Sequence, residues 1–318
     1  MKNAKNALSV KNQRLFKVPN NSRINYWQVD HQIKNISKIE GVIILPSSRA
    51  WEEYSWTRKY FFQKPKEGYF IWVKKEVDFP LFTCFSIASQ KTRQNLENLL
   101  IIEKNLRVRL IGDCNSLKND LNCTHKAKGK IILKEGVCLE YKHNHSWGKN
   151  DLVEPEYQFI LEKNSKLNYT YKNLLTPQGL KIKTDFYLSE KASVIAKIIL
   201  DAYSTKAMII DNLYLKEKES RGEIQLKIVA RKKSHIEAQS QIIAQSPGKG
   251  HLDCQGLLSD KTSIISLGPR LICKNKDAEL THEASLGKIS AEALNYLRQR
   301  GFSQKEAVDL IINGFLGK

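Results

Sequence analysis

The stretch IILKEGVCLEY, Ile131 to Tyr141, is the first of four windows that align without gaps. The others are FILEKNSKLNY from Phe159, FYLSEKASVIA from Phe186 and LYLKEKESRGE from Leu213, so the starts are 28, 27 and 27 residues apart. Each window has apolar residues, a polar turn of Lys, Glu and Ser, and a second run that mostly alternates. This pattern predicts a strand, a turn and another strand in every window.

Two more stretches extend the repeat: LIIEKNLRVRL from Leu100, and LLSDKTSIIS from Leu257, which reads as a fifth copy. Self-similarity at a fixed period of 20 to 50 residues is typical of stacked architectures, and a unit of about 27 residues is too short for a propeller blade. Hairpin signals such as Asn-Gly or Asp-Gly are absent between the windows, which disfavours a sandwich of hairpins. We therefore predict an all-β fold, a right-handed parallel β-helix with coils about 4.8 Å apart.

The two ends of the chain differ from the repeat. We predict an N-terminal region over 1–67 that is short, irregular and partly helical, the β-helix core over 68–287, and a small α-helical C-terminal region over 288–318. Within the first region, AWEEYSWTRKYFF (Ala50 to Phe62) is a candidate amphipathic helix.

The C-terminal region reads as two helices. The first is predicted over 291–300 and ends at Gly301, a usual residue just past a helix. Ser303 and Glu306 then form a capping box that opens the second helix. One interpretation is that the pair covers the open end of the β-helix, and the other is a docking surface. The second rests on apolar residues too numerous for a short hairpin to bury: Leu310, Ile311, Phe315 and Leu316.

Composition sets limits on the class of protein. The 318 residues include 52 Lys+Arg against 33 Asp+Glu, a formal net charge of +19, with 41% apolar residues. Extended disorder is therefore excluded, because the chain has enough apolar residues for a packed core. The charge raises nucleic acid or an anionic membrane as partners, but the lysines fill the turns EKNS, SEKAS and KEKES, which indicates a solvated surface and argues against nucleic acid.

The expected compartment is the cytoplasm. The first residues, MKNAKNALSVKNQ, lack the apolar run of a signal peptide, and no stretch approaches the ~18 uninterrupted apolar residues of a membrane span. Six scattered cysteines without a CxxC pair predict free thiols rather than a disulfide framework.

The C-terminal segment GPRLICKNKDAELTHEASLGKISAEALNYLRQRGFSQKEAVDLIINGF resembles the end of the SufB/SufD family of iron–sulfur cluster assembly proteins. The most specific elements are CKNKDAELTHEAS, the run from Leu294 to Gly301, and NGF. Upstream, GYFIWVKKEV (Gly68 to Val77) and the stretch from Pro80 to Asn105 resemble the family's entry into its β-helix. The resemblance covers about residues 68 to 318.

The resemblance implies a scaffold rather than an enzyme. In the family, the helical C-terminal region docks an ABC-type ATPase called SufC, and the β-helix carries a nascent, transient iron–sulfur cluster. Cys254 falls at the cluster-assembly cysteine of SufB-type members, His282 at a histidine found in both types, and Glu283 at the acidic residue of their HEA motif. This set resembles SufB more than SufD. A sulfur donor and recipient apo-proteins are implied partners.

The sequence also departs from the family. The N-terminal region is much reduced, and the early Cys-rich motif of some SufB proteins is missing, since the first cysteine is Cys84. Flavin binding is therefore in doubt. A short member of one type is expected to form a homodimer through its β-helix, with a heterodimer as the alternative. The chain has no Gly-x-x-x-x-Gly-Lys-Ser/Thr loop, so ATP hydrolysis is expected of the partner.

Spacing permits a metal site at the resembling residues. Cys254 precedes His282 by 28 residues and Glu283 by 29, about one coil of the repeat. Thiolate, imidazole and carboxylate suit iron. Since neighbours on a strand point to opposite faces, His282 and Glu283 cannot both face Cys254 on a regular strand. Either a bulge re-aims one of them, or one of them serves a subunit interface. A core cysteine is the alternative, because Cys254 shares its face with Leu252 and Leu258.

Two further pairs and one cysteine complete the candidates. Cys123 with His125, and His143 with His145, each place two side chains on one strand face, which fits either a metal or a structural role. Cys273 is predicted to lie in the core. The competing functions are a SufD-like structural subunit without its own cluster, and a cationic β-helix that binds acidic polysaccharide or nucleic acid.

Overall fold

The computed structural model describes residues 24–317. The first residues, MKNAKNALSVKNQ, on which the expectation about a signal peptide rests, lie outside the described residues. The chain forms two long sheets whose strands alternate along the sequence. The strands are β1 (Tyr26–Val29), β2 (Gln32–Ile36), β3 (Val42–Pro46), β4 (Tyr69–Val73), β5 (Leu81–Ile87), β6 (Arg93–Ile102), β7 (Arg107–Ser116), β8 (Thr124–Leu133), β9 (Cys138–Ser146), β10 (Leu152–Leu161), β11 (Lys166–Leu175), β12 (Gly179–Leu188), β13 (Ser193–Tyr203), β14 (Lys206–Leu215), β15 (Ser220–Arg231), β16 (His235–Ala244), β17 (Gly248–Leu258), β18 (Ile264–Cys273) and β19 (Glu279–Lys288).

Each coil gives one strand to each sheet. The first sheet has the order β19-β17-β15-β13-β11-β9-β7-β5-β1-β2, and the second β18-β16-β14-β12-β10-β8-β6-β4-β3. Pairing is parallel throughout the coils, for example between β10 and β12 and between β11 and β13. The predicted parallel β-helix is confirmed, in a flattened form with two strands per coil.

The register confirms the repeat read from the sequence. Leu100, Ile131, Phe159, Phe186 and Leu213, the first residues of five windows, are direct partners on successive strands of the second sheet. The windows therefore mark the same corner of five coils.

The window at Leu257, predicted as a fifth copy, does not lie at the same corner of its coil as the other windows. Leu257 lies in the first sheet, opposite Val229 and Gly287. Its turn joins β17 to β18 and belongs to the other corner of the coil. The two corners carry similar polar turns, so their sequences resemble each other.

The interior is filled by the inward members of each alternating strand. Phe159 stacks on Phe186 of the next coil in the same sheet, with 5.1 Å between ring centroids, and its ring lies tilted 4.8 Å from that of Tyr169 in the other sheet. Gly129 makes room for one of these rings, because a Cβ there would lie 2.2 Å from a ring carbon of Tyr157. Close packing of this kind sets one coil on the next.

Lysines of the turns pair with acidic residues of neighbouring coils. Lys134 contacts Glu162 at 2.8 Å, and Lys163 contacts Glu190 at 2.9 Å. Exposed pairs of this kind each add little stability. Their position confirms that these turn lysines lie on the solvated surface.

Residues 24–67 contain three short strands that the sequence analysis did not predict. β1 extends the first sheet by pairing in parallel with β5, and β3 pairs antiparallel with β4. The predicted helix over Ala50 to Phe62 is instead two short helices, α1 (Ser47–Glu53) and a 3-10 helix (Ser55–Tyr60). Strands of four or five residues carry too little periodicity to be recognised.

The C-terminal helices are α2 (Ala291–Gln299) and α3 (Gln304–Leu316), and the predicted capping box of Ser303 and Glu306 is present. α3 packs Ile312 and Leu316 against Val229 of β15 and Leu257 of β17. The helices thus lie on the flank of the first sheet, and the end-cap interpretation is wrong. β18 and β19 are the outermost strands of their sheets, and most of their residues are exposed.

A search of residues 24–317 for a helix with the length and apolar character needed to cross a membrane finds none.

Candidate metal site

Cys254 lies inside the β-helix, one coil from its open end. It is on β17, on the inward face with Leu252, and its surface is 2% exposed. Burial raises the pKa of its thiol to about 11; the carboxyl of Asp211 acts in the same direction, and the hydroxyl of Ser240 acts against it. The thiol is therefore protonated at neutral pH, and a metal ion must displace that proton to bind.

His282 is on the last strand, β19, which pairs with β17 without a register shift. His282 lies opposite Leu252, and Ala284 lies opposite Cys254. Since Leu252 points inward, His282 is on the face of Cys254, two residues from the direct position. It is exposed because β19 is the outermost strand of its sheet. The last coil spans 30 residues, so His282 is on the neighbouring coil, as its spacing from Cys254 predicts, but two residues before the position opposite Cys254.

Glu283 points to the other face. It lies opposite Asp253, and its carboxylate is 3.6 Å from Nε2 of His251 on the outer surface. The ladder has no bulge that could re-aim it. Within one chain, the structure therefore brings His282 but not Glu283 to the face of Cys254.

A second group of ligand-type side chains lies deeper in the interior. Cys114 on β7 and His143 and His145 on β9 are buried, and their Sγ and ring nitrogens lie within 4.8 Å of one another. His143 and His145 were predicted from the sequence as a candidate pair, whereas Cys114 was not among the predicted ligands. The signal was its spacing of one coil, since Cys114 is the direct partner of His145.

The donors of this group are already engaged with one another. Trp147 Nε1 can only donate, so Nδ1 of His145 accepts its hydrogen at 3.0 Å. His145 is neutral, because burial holds its pKa well below the usual value. Its Nε2 therefore carries the hydrogen and donates to Nε2 of His143 at 2.9 Å, and Nδ1 of His143 donates to the Tyr169 hydroxyl at 3.3 Å. A metal would have to break this chain, so the group fits a structural network better.

The two members of the other predicted pair have separate hydrogen-bond partners. Sγ of Cys123 is 3.6 Å from the Ser116 hydroxyl, whereas Nδ1 of His125 bonds Oε1 of Gln94 at 2.9 Å. Cys273, predicted to be in the core, is exposed. It lies on β18, where no further coil of the described chain covers the strand.

Comparison with known protein families gives one match over most of the chain. Residues 85–315 match the model of the family described as SUF system FeS cluster assembly, SufBD core domain.

Curated relatives match over similar lengths. An iron–sulfur cluster assembly SufBD family protein of Archaeoglobus fulgidus is 27% identical over 92% of this chain and 84% of its own length. One from Methanothermobacter thermautotrophicus is 26% identical over 87% of this chain and 73% of its own length. The iron–sulfur cluster assembly protein SufB of Bacillus subtilis is 25% identical over 78% of this chain, but the match covers only 55% of that protein.

Proposed function

Because the chain belongs to the SufBD family of iron–sulfur cluster assembly proteins, we propose that it is a scaffold that builds a transient cluster at Cys254 and passes it to apo-proteins. The observation that carries the proposal is the place of Cys254, inside the β-helix one coil from an open end. A cluster in transit needs few, exchangeable ligands, and a site near an open end allows it to enter and leave. The scaffold is not an enzyme in this proposal.

The register supports His282 as the partner ligand of Cys254 within one chain. Both are on the inward face of neighbouring strands, whereas Glu283 is on the outer face beside His251. Glu283 would take part only through a second chain or a rearranged edge.

A second copy is the partner that the open end favours. Within residues 24–317, β18 and β19 each have one edge without a strand partner, and Leu286 on β19 is 52% exposed although it is on the inward face opposite Gly256. Uncovered edges pair readily with other strands. A homodimer joined through these edges would cover Leu286 and bring two Cys254 sites close together.

Anaerobic reconstitution with ferrous iron and sulfide tests the cluster site. The wild type is expected to bind iron and sulfide with visible absorption, and Cys254→Ala to lose most of both. His282→Ala is expected to bind less than Glu283→Ala. Cys273→Ala is the matched control, because this thiol is exposed on the same last coil. Equal iron and sulfide in wild type and Cys254→Ala would contradict the proposal and favour a SufD-like structural subunit.

We also propose that the C-terminal helices bind a SufC-like ABC ATPase, whose nucleotide cycle would strain the scaffold and open the site. α2, α3 and the turn between them keep large apolar side chains exposed after α3 has packed on the β-helix: Tyr296 at 57%, Phe302 at 42% and Leu310 at 47%. Exposed apolar residues grouped on two short helices are typical of a docking surface.

Binding of the ATPase is expected to depend on Leu310. In a pull-down with a SufC-like ATPase, Leu310→Glu should lower the amount recovered by at least about tenfold, since a charge replaces a buried apolar contact. Gln304→Glu adds the same charge at an exposed position of the same helix and should bind as the wild type does. Full recovery with Leu310→Glu would move the docking surface elsewhere. A point variant is preferable to deletion, which would expose Val229 and Leu257.

A further inference from the structure

A buried carboxylate without a hydrogen-bond partner lies near Cys254. Asp211 is on β14, inward between Ile209 and Leu213, and is fully buried. Neither of its oxygens has a hydrogen bond of normal geometry within residues 24–317. The Ser240 hydroxyl, on the neighbouring strand directly opposite Asp211, is likewise buried and has no hydrogen bond of normal geometry in the described chain.

An unpaired carboxylate in an apolar interior is costly. A core that served packing alone would carry an apolar residue here, as Ile209 and Leu213 do on the same face. The position is therefore suited to a cation that enters the interior.

The two sheets bring this carboxylate to the cysteine. Thr184, Asp211 and Ser240 are direct partners on β12, β14 and β16, so they form a polar row on the inner face of the second sheet. Cys254 points into the same interior from the first sheet, and its strand β17 contacts both β14 and β16 across the core.

We propose that Asp211 and Cys254 together bind one divalent transition-metal ion of the ferrous type inside the β-helix, with the Ser240 hydroxyl as an additional oxygen donor. The proposal rests on the proposed function only for the statement that Cys254 is a metal ligand. Thiolate and carboxylate are both donors that suit ferrous iron. Thiolate and carboxylate together carry two negative charges, which balance the two positive charges of the ion in this buried site.

Binding releases a proton in a balanced way. The Cys254 thiol gives its proton to solvent, the thiolate forms the metal bond, and no oxidant or reductant is needed. A molecule whose Asp211 starts protonated releases a second proton. The Cys114 group differs, because its histidine nitrogens already bond one another.

Anaerobic titration of the complete chain with cobalt(II) tests the site. The wild type is expected to bind one ion with a near-ultraviolet thiolate-to-cobalt band. Asp211→Asn should keep the band but weaken affinity by at least about tenfold, since an amide oxygen is a poorer ligand than a carboxylate. Cys254→Ser should lose the band. Asp253→Asn is the matched control, because it removes the adjacent carboxylate on the outer face.

The variants test the role of Asp211 separately from the role of Cys254 in cluster assembly. Asp211→Asn removes a buried charge without changing shape, so its melting temperature should not fall, and weaker binding cannot be ascribed to unfolding. Wild-type cobalt affinity in Asp211→Asn would overturn the role of Asp211, even when Cys254→Ala still fails to assemble a cluster. An unchanged cobalt band in Cys254→Ser would overturn the site as a whole.

Discussion

Lowering the pH from 7 to 5 is expected to reduce the free energy of unfolding by about 4 kcal/mol, which is the loss from three buried histidines less the gain from one buried carboxyl group. Burial lowers the pKa of His125 and of His143 to about 3, and that of His145 well below its usual value. The unfolded chain takes up protons near pH 6.5, whereas the folded chain does not. Stability is therefore full above pH 6.5 and falls as the pH drops towards 3.

The magnitude follows from the window between the two pKa values. Each histidine contributes a loss of about 2 kcal/mol at pH 5, or about 6 kcal/mol for three. Asp211 works in the opposite direction, because its pKa is raised to about 7 in the folded chain. Its protonation between pH 7 and pH 5 therefore raises the free energy of unfolding by about 2 kcal/mol.

Urea unfolding at pH 7 and pH 5 measures this loss. Asp211→Asn should show a larger drop than the wild type, since it lacks the compensating group. His125→Gln keeps a hydrogen-bond donor for Gln94 and should show a drop smaller by about 2 kcal/mol. A free energy of unfolding that is the same at both pH values would show that the histidines are not held neutral in the interior.

The fold could be predicted from the sequence because a β-helix stacks equivalent residues. The windows at Ile131, Phe159 and Phe186 are neighbours in space for the same reason that they align in sequence. The phase of the copy at Leu257 could not be predicted, because both corners of a coil need the same polar turn. The strands before Tyr69 were missed since they are short and pair partly antiparallel.

The site could be predicted only in part. Strand alternation correctly predicts that His282 and Glu283 point to opposite faces of their strand. The length of the last coil, 30 residues, could not be predicted, and it places Ala284 rather than His282 opposite Cys254. Cys114 escaped notice because its partners are a full coil away in sequence. Asp211 gave no signal as a single acidic residue in an apolar strand, and only the register places it beside Ser240.

Replacing Arg231 is expected to cost about 3 kcal/mol of stability and to loosen α3 from the β-helix. The Arg231 guanidinium bonds both carboxylate oxygens of Asp201, at 2.8 and 2.9 Å, and reaches Asp309 of α3 at 3.0 Å. The first pair is mostly buried, so Arg231→Met leaves the Asp201 charge without this partner in a poorly solvated place. The loss should appear in urea unfolding.

The link to α3 can be separated from the buried pair. Asp309→Asn leaves the Arg231–Asp201 pair intact and removes only the half-exposed ion pair between Arg231 and Asp309. The loss of stability should be less than about 1 kcal/mol. Hydrogen exchange should nevertheless become faster in α3 in both variants, because Asp309 supplements the apolar contacts of Ile312 and Leu316. Faster exchange spread evenly over all strands in Arg231→Met, with α3 no more affected than β9, would mean that Arg231 supports the β-helix alone. If the exchange rate instead rises only in α3, Arg231 is the residue that connects the proposed ATPase-binding helices to the coils that hold Cys254.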